Sequence, residues 1–284
     1  AKRKVLKVAG FFARLIMTVR NISGTYSLND GTILPGYNEE SRFLGMNSST
    51  TKLSSFIFGQ QGYDVFGRKN NYSVSTIATQ NSWLVQNENL NTQFATTHAK
   101  DLNMRATLEP FKDVNIDLNL IRNYSRNSGE FYRWNESNNE FEGQSRFETA
   151  TLSYSTISWG TAFTKQGAEY QSEVFQNLLD NRNNVSQLVG ANNSNSSQLT
   201  PNGFYSGYSG TQQDVVLGSF MTAYSNTAVN SRNIDPLQNI PLPNWSINYS
   251  GLTKYKFTKK FLKSFIVRDA YSSSVSLIGM QPNL

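Results

Sequence analysis

The sequence between residues 101 and 120 reads DLNMRATLEPFKDVNIDLNL, and this stretch decides the fold. Apolar and polar residues alternate on both sides of a short turn at residues 109–113. A period of two predicts β-strands with one wet face, and the turn between two such runs predicts an antiparallel hairpin. The predicted strands lie near residues 100–109 and 113–124. The apolar set of this hairpin is Leu102, Met104, Ala106, Leu108, Val114, Ile116, Leu118 and Leu120.

Four further stretches show the same alternation. They predict strands near residues 15–29, 147–157, 244–252 and 264–277. A tilted strand needs about 9 to 11 residues to cross a bilayer, so these runs suit a sheet that spans a membrane. Asp269 interrupts the apolar face of the last strand. We expect this residue at a bulge, at the membrane edge or against protein, because a lipid-facing charge at mid-depth is costly.

The connections between the predicted strands are unequal in length. The hairpin turn is short, whereas the polar insertions at residues 31–96 and 165–240 are long. The second insertion contains two helical patterns, at residues 172–190 and 212–224. Compact soluble domains usually connect their elements by about 4 to 6 residues. Short turns at one end of the strands and long loops at the other are typical of bacterial outer-membrane barrels.

The composition favours strands and loops over helices. Hydrophobic residues make up 38% of the chain, aromatic residues 13% and charged residues 16%, and the remainder is rich in Asn, Ser, Thr, Gln and Gly. Secreted β-proteins and outer-membrane barrels both have this mixture. The chain has no cysteine, which excludes disulfides, cysteine-based zinc sites and thiol nucleophiles within it.

Charge and hydropathy argue against two classes of protein, those that bind nucleic acids and those that cross a membrane with helices. The net charge is +6, but the basic residues are scattered except at residues 254–263, so we expect no nucleic-acid partner. No apolar run reaches the length of a membrane-spanning helix, and the best one, from Val8 to Val19, is interrupted by Arg14.

The number of predicted strands indicates that the chain is part of a larger β-barrel. About six spanning strands are predicted, whereas the smallest single-chain bacterial barrels have eight. The chain also begins without an initiator Met or a signal peptide. We therefore predict that residues 1–284 form a single segment of a very large, all-β, transmembrane antiparallel β-barrel with long loops and two short helices.

Several stretches resemble one known family, the outer-membrane translocon of the type 9 secretion system in Bacteroidota, called SprA or Sov. The resemblance extends over most of the chain in the same order, and IPLPNW followed by NYSGL is its most specific part. The stretches are VRNISGTYS (19–27), LPGY (34–37), FIFGQQ (56–61), LNMRATLEPFKDVNIDL (102–118), AFTKQ (162–166), IPLPNWSINYSGLTK (240–254) and FLKSF (261–265).

The resemblance implies a protein-conducting channel through which folded proteins leave the periplasm, in a family linked to gliding motility. It implies the bacterial outer membrane as the location, with secreted cargo proteins and outer-membrane lipid as partners. A small companion outer-membrane barrel and a periplasmic plug protein are the further partners that it implies. The family offers no catalytic residue to carry over.

A basic run is a candidate site of contact with the membrane surface. Its lysines could bind anionic lipid head groups or an acidic partner. The alternative is a solvated turn in which the lysines lie beside Tyr255, Phe257 and Phe261. Both alternatives place the run at an interface. The lysines are Lys254, Lys256, Lys259, Lys260 and Lys263.

Aromatic residues on the predicted strands form a second candidate group. Outer-membrane barrels carry aromatic girdles at both membrane boundaries. The alternative is that these side chains fill a soluble sandwich. The candidates are Tyr26, Tyr154, Trp245 and Tyr249.

Catalysis and metal binding have little support in the sequence. His98 is the only histidine, so a triad or a multi-histidine metal site would depend on it alone. No nucleotide-binding glycine loop is visible. Five acidic residues crowd one loop and could bind calcium, but a solvated acidic loop is the favoured interpretation. We expect no enzyme activity, cofactor or metal. The acidic residues are Glu130, Glu136, Glu140, Glu142 and Glu148.

Two other functions remain open at this point. A TonB-dependent nutrient transporter occupies the same membrane, but neither its plug domain nor a TonB box is recognisable in this sequence. A secreted β-sandwich adhesin or carbohydrate-binding protein would use the Tyr, Trp and Asn residues for stacking and hydrogen bonding. The sandwich predicts a protein that stays in solution without detergent.

Overall fold

The described part of the computed structural model covers residues 18–40, 74–167, 171–193 and 198–281. The start of the first predicted strand, at residues 15–17, lies outside the described residues. So does the part of the first predicted insertion at residues 41–73, which includes the FIFGQQ stretch.

All seven strands in the described residues belong to one sheet. The sheet is mostly antiparallel, which confirms the predicted antiparallel sheet at the level of fold class. The neighbours run in the order β1-β2-β3-β4-β7, and β5 lies between β3 and β6. The strands are β1 Val19–Ile33, β2 Phe94–Phe111, β3 Val114–Asn135, β4 Glu140–Ser155, β5 Asn244–Tyr249, β6 Val267–Tyr271 and β7 Ser274–Met280.

Three of the five helices in the described residues lie in the predicted insertions. The two predicted helices are present as α3 and α4, and Ser172 caps α3 by accepting a hydrogen bond from the backbone N–H of Phe175 at 3.3 Å. Short 3₁₀ turns occur at Pro236–Gln238 and Gly251–Lys254. None of the described helices is long and apolar enough to cross a membrane. The helices are α1 Val74–Gln80, α2 Trp159–Ala162, α3 Glu173–Ala191, α4 Gln213–Tyr224 and α5 Lys256–Lys259.

The predicted hairpin is formed by β2 and β3. Asp113 closes its turn with a φ of 71°, a left-handed conformation that Asp adopts more readily than most residues. The Thr107 hydroxyl donates a hydrogen bond of 2.9 Å to Asp117, so these two side chains lie on the same face. Because side chains alternate along a strand, the neighbouring apolar residues, such as Ala106 and Leu118, share the opposite face.

The strands predicted near 147–157 and 244–252 share one position in the sheet. Both β4 and β5 pair with β3. The register of β5 ends with Asn244 opposite Asn119, and the Ser155 hydroxyl at the end of β4 binds the backbone N–H of Ile121 at 3.1 Å. The backbone N–H of Leu242 donates to the carbonyl of Ser155 at 2.9 Å. Thus β4 and β5 lie one after the other along the same side of β3. They were predicted as two separate spanning strands, and this prediction is wrong because together they occupy one strand position in the sheet.

The strand predicted at 264–277 is divided in two. β6 pairs with β5, and β7 pairs with β4, with Ser272 and Ser273 between them. The backbone N–H of Thr156 donates to the carbonyl of Ser273 at 3.0 Å. The division in this strand therefore lies beside the place where the chain leaves the sheet after β4.

The chain divides into two compact units. Unit 1 comprises the described residues of 1–26, 101–123 and 152–277, and unit 2 comprises those of 27–100, 124–151 and 278–284. Unit 2 contains a small core of Ala78, Trp83 and Leu84, against which partly buried side chains such as Tyr132 and Phe141 pack.

The core of unit 1 lies between α3 and α4. Val185 and Val215 are fully buried there. Gly218 allows the close approach, because a Cβ at that position would lie 2.8 Å from a Val185 methyl group. Gly190 was predicted to end α3, but the helix continues to Ala191. This glycine instead makes room for the side chain of Tyr205, whose Cβ would lie 2.4 Å from a Cβ at position 190.

Candidate functional site

The sheet of unit 1 has one apolar face. Ile116 lies opposite Ile247 and Leu118 lies opposite Trp245 in the pairing of β3 with β5. Tyr271 of β6 lies opposite Trp245 on the next strand. Residues directly opposite one another in antiparallel strands share a face, so the apolar residues of three neighbouring strands form one surface.

The apolar face is exposed on β1 and β2. A Cβ on Gly24 would lie 3.6 Å from Met104 Cγ, which places these two residues side by side. Ile22 on β1 is 63% exposed, Tyr26 is 58% exposed and Met104 is 42% exposed. Contiguous exposed apolar side chains mark a surface that normally meets another protein or a membrane.

The height of this face matches a bilayer. On β3 the uninterrupted apolar run of this face, from Val114 to Leu120, lies between Asp113 at the turn and Arg122. A strand rises about 3.3 Å per residue, so these two charged residues are about 30 Å apart along the strand. At a tilt of about 40° this corresponds to a depth of about 23 Å, close to the apolar band of about 25 Å on outer-membrane barrels.

The opposite face of unit 1 is polar. Asp117 lies opposite Ser246, and Asn115 lies opposite Asn248. On β1, β2 and β3 this face forms an open concavity of about 350 Å³. Arg105 is the charged residue in its lining, and its guanidinium can donate several hydrogen bonds to carbonyl or carboxylate oxygens. The concavity is lined by Ser23, Gly24, Thr25, Asn103, Arg105 and Asn119.

An aromatic cluster lies where β5, β6 and α2 meet. The rings of Trp245 and Tyr271 stack with centroids 4.6 Å apart, and the ring of Trp159 meets both edge-on, at 5.0 Å and 5.5 Å. The backbone N–H of Ser158 donates to the Tyr271 hydroxyl at 2.8 Å, which fixes that ring. Trp245 was a predicted site residue. Trp159 was missed, because nothing in the local sequence pattern indicates a partner so distant in the chain.

Tyr154 is not a membrane-boundary residue, contrary to the prediction. It is only 4% exposed, and its hydroxyl lies 3.9 Å from the sulfur of Met221 on α4. Its neighbour Leu152 is fully buried. The alternating pattern of β4 was interpreted as a lipid-facing surface, but the helical insertion covers these side chains.

The predicted basic run forms an exposed connection between β5 and β6. We call residues 254–263 the basic turn. Lys254 forms an ion pair with Asp113 at the hairpin turn of β2 and β3. The backbone N–H of Ser250 also donates to the carbonyl of Asp113 at 3.0 Å. The other four lysines are exposed. Asp113 was not predicted as part of this site.

Tyr249 and Asp269 lie near the same end of the sheet. The ring of Tyr249 covers Gly251, since a Cβ there would lie 2.6 Å from a ring carbon. Asp269 lies opposite Ile247 in a regular register and is exposed. A bulge and a buried protein contact were two of the three predicted settings for Asp269, and neither agrees with this geometry. The third predicted setting, the membrane edge, stays a prediction.

The acidic residues of the predicted loop have separate partners in unit 2. Glu148 is buried and forms an ion pair with Arg126, and Arg146 lies 3.8 Å away. Glu142 accepts a hydrogen bond of 2.6 Å from Asn135. Within the described residues, no three His, Cys, Asp or Glu side chains come together in an arrangement that could hold a metal ion.

Two polar contacts of unit 2 involve aromatic residues. His98 forms an ion pair or hydrogen bond with Asp30. The Tyr132 hydroxyl donates to Glu130 at 2.9 Å and lies 3.2 Å from the Ser75 hydroxyl. Burial raises the pKa of Tyr132, and the negative charge of Glu130 raises it further, while the contact with Ser75 opposes the shift.

No protein-family model matches the chain, and no curated protein matches it.

Proposed function

We propose that this chain forms part of the wall of a protein-conducting channel in the bacterial outer membrane, as in the type 9 translocon that its sequence resembles. The apolar face of unit 1 contacts lipid. The polar face lines the path of secreted, folded proteins. The activity is passage through a pore, and no bond is made or broken.

One observation carries this proposal. Neighbouring residues of one strand, such as Ile22 and Ser23, belong to opposite faces of a sheet, and both are exposed. A soluble protein would cover a face that carries Ile22, Tyr26 and Met104, because burying each such side chain contributes about 1.5–3 kcal/mol. A lipid bilayer removes these side chains from water, with the same gain in free energy, and needs no protein partner.

The single sheet favours a channel wall over a secreted β-sandwich. A sandwich packs two sheets face to face, about 10 Å apart. The seven strands of the described residues form one sheet instead. The exposed polar face also suits a wide pore, in which side chains line water and do not fill a core.

The roles of individual residues follow from their positions. Arg105, Asn103 and Asn119 provide hydrogen-bonding groups along the path of the exported protein. Trp245 and Tyr249 lie on the lipid-facing side, with Tyr249 at the turn end of the strands. The companion barrel and the plug protein implied by the resemblance are the other components of the proposed translocon.

The test uses four single-cysteine variants of the full-length protein in lipid vesicles. The natural chain contributes no cysteine of its own. Ile22→Cys and Met104→Cys report the apolar face, and Asn21→Cys and Asn103→Cys are the matched neighbours. Each cysteine carries an environment-sensitive fluorophore. We expect quenching by lipid-borne nitroxides at positions 22 and 104, and quenching by aqueous iodide at positions 21 and 103.

Two outcomes would contradict the proposal. Equal quenching by iodide at all four positions would mean that the sheet lies in water, as in a secreted adhesin. A photocrosslinker placed at Arg105 in living cells tests the cargo. We expect it to capture exported proteins that are stalled in transit. The absence of such crosslinked products is the second contradicting outcome, because a nutrient transporter would give none.

A further inference from the structure

The basic turn exposes apolar rings together with positive charge. Phe257 is 79% exposed, and Tyr255 and Phe261 are each more than half exposed. Lysines alternate with these rings, and Lys260 Nζ lies 6.0 Å from the centre of the Phe261 ring. An exposed turn that is merely solvated gains nothing from uncovered aromatic rings, because their transfer out of water is favourable.

The charge of the basic turn is not balanced locally. The sequence from 251 to 266 contains no Asp or Glu. Asp113 pairs with Lys254, which ties the turn to the β2–β3 hairpin. The remaining lysines project from a segment in which every residue except Thr258 is exposed. Such a surface attracts anions.

The basic turn lies at the edge of the apolar face. It connects Tyr249 to Val267, and these two residues lie opposite one another. Tyr249 also lies opposite Val114, the first residue after the hairpin turn. Under the proposed function this edge is the boundary between lipid and water. We assign it to the periplasmic boundary, because β3 begins directly there, at Val114, whereas at its other end β3 continues past Arg122 to Asn135 as part of a long outer hairpin.

We propose that the basic turn binds the phosphate groups of anionic phospholipids in the periplasmic leaflet, with its rings inserted between the acyl chains. This proposal rests on the proposed function, which sets the depth of the turn. Phe257 and Phe261 enter the leaflet, and the lysines extend to the head groups above them. An acidic protein partner would account for the lysines but would not provide an apolar environment for the aromatic rings that lie between them.

The experiment measures which lipid lies beside Phe257. The full-length variant Phe257→Cys carries the same fluorophore in vesicles of phosphatidylcholine and phosphatidylglycerol. The nitroxide quencher is attached either to phosphatidylglycerol or to phosphatidylcholine. We expect stronger quenching by the labelled phosphatidylglycerol, and we expect this preference to fall at high salt.

Charge removal provides the second readout. Lys259→Gln combined with Lys260→Gln should weaken the preference for phosphatidylglycerol by about fivefold for each lysine removed, which corresponds to about 1 kcal/mol per lysine. The matched control is Lys165→Gln combined with Arg232→Gln, two exposed cations away from the basic turn in sequence. The control should keep the preference of the parent protein.

Three results would overturn the proposal. Equal quenching by the two labelled lipids would mean insertion without head-group recognition. No quenching by either lipid would leave the turn in water. Protection of the fluorophore only when a periplasmic protein is added would assign the surface to an acidic protein partner.

The two proposals can fail separately. If positions 22 and 104 meet lipid but position 257 does not, the channel wall stands and the lipid site is wrong. If position 257 meets lipid but positions 22 and 104 do not, the protein attaches to the membrane surface only, and the proposed function is wrong.

Discussion

A charge at the centre of the apolar face should destabilise the membrane-inserted protein strongly. Gly24 lies beside Met104, so the register places Ile22 opposite Ala106, which in turn lies opposite Leu118. Leu118 lies near the middle of the interval between Asp113 and Arg122. Ile22 therefore lies close to the bilayer midplane in the proposed orientation.

The magnitude follows from the exposure of Ile22 and from its depth. An Arg at the midplane of an outer-membrane barrel costs about 2–4 kcal/mol. The 63% of Ile22 that the protein leaves uncovered contributes a further ~1–2 kcal/mol when lipid covers it. We expect Ile22→Arg to lower the free energy of unfolding by about 3–6 kcal/mol. Asn21→Arg, on the polar face, should change it by less than about 0.5 kcal/mol.

The assay is a urea titration of the full-length protein folded in phospholipid vesicles, with tryptophan fluorescence as the signal. Both variants add one arginine to the same strand, so differences in net charge and strand propensity largely cancel. Equal and small effects of Ile22→Arg and Asn21→Arg would refute the assignment of the apolar face to lipid. Such a result would place both faces in water.

Three further predictions concern packing and ionisation. Glu148→Gln should destabilise unit 2 by about 3–5 kcal/mol in the same urea titration, because it leaves Arg126, whose side chain is only 12% exposed, without its ion pair. Ser186→Ala should cost about 1–3 kcal/mol and speed hydrogen exchange at the Tyr205 amide, whose N–H donates to the Ser186 hydroxyl at 2.9 Å. In an alkaline absorbance titration, Tyr132 should ionise above its ordinary pKa of 10.0. Its raised pKa contributes stability below pH 10 that is lost as the pH rises through the folded-state pKa.

Each of these predictions has a matched control. Glu140→Gln alters an exposed acid of the same segment and should change the unfolding free energy by less than about 0.5 kcal/mol. Ser231→Ala should leave hydrogen exchange near residue 205 unchanged. Tyr132→Phe should remove one late-ionising tyrosine from the absorbance curve and leave the contribution of Tyr154, whose pKa is also raised by burial. If Glu148→Gln and Glu140→Gln have equal effects, the ion pair with Arg126 has no role in stability.

Local patterns of the sequence predicted the elements that depend on neighbouring residues. The β2–β3 hairpin is formed by adjacent strands, so its alternation and turn residues were sufficient. The starts of α3 and α4 were equally local, since a capping residue such as Ser172 lies next to its helix. The turn of the hairpin and the starts of both helices agree with the prediction within two residues. The far ends of the strands do not, because β2 begins at Phe94 and β3 continues to Asn135, whereas residues 100 and 124 were predicted.

Features that depend on distant contacts were not predictable in this way. Leu152 and Tyr154 alternate with polar residues in the same manner whether a lipid or a helix covers them. Only the packing of α4, with Met221 against Tyr154, distinguishes the two cases. The ion pair of Lys254 with Asp113 joins two turns that are far apart in the chain, and no spacing in the sequence indicates it.

Because β4 and β5 lie one after the other beside β3, the helical insertion between them interrupts what is otherwise one strand of the sheet. We call this insertion the detour. The chain leaves the sheet at Ser155 and re-enters it at Asn244, and Leu242, two residues before the re-entry, is hydrogen-bonded to Ser155. A loop whose ends already meet can be lengthened cheaply, since each doubling of its length costs only about 0.6 kcal/mol of closure entropy. Evolution could therefore exchange the whole detour for another domain while the strand on either side keeps its place. During biogenesis, the same arrangement delays the completion of this strand until the last residue of the detour has emerged.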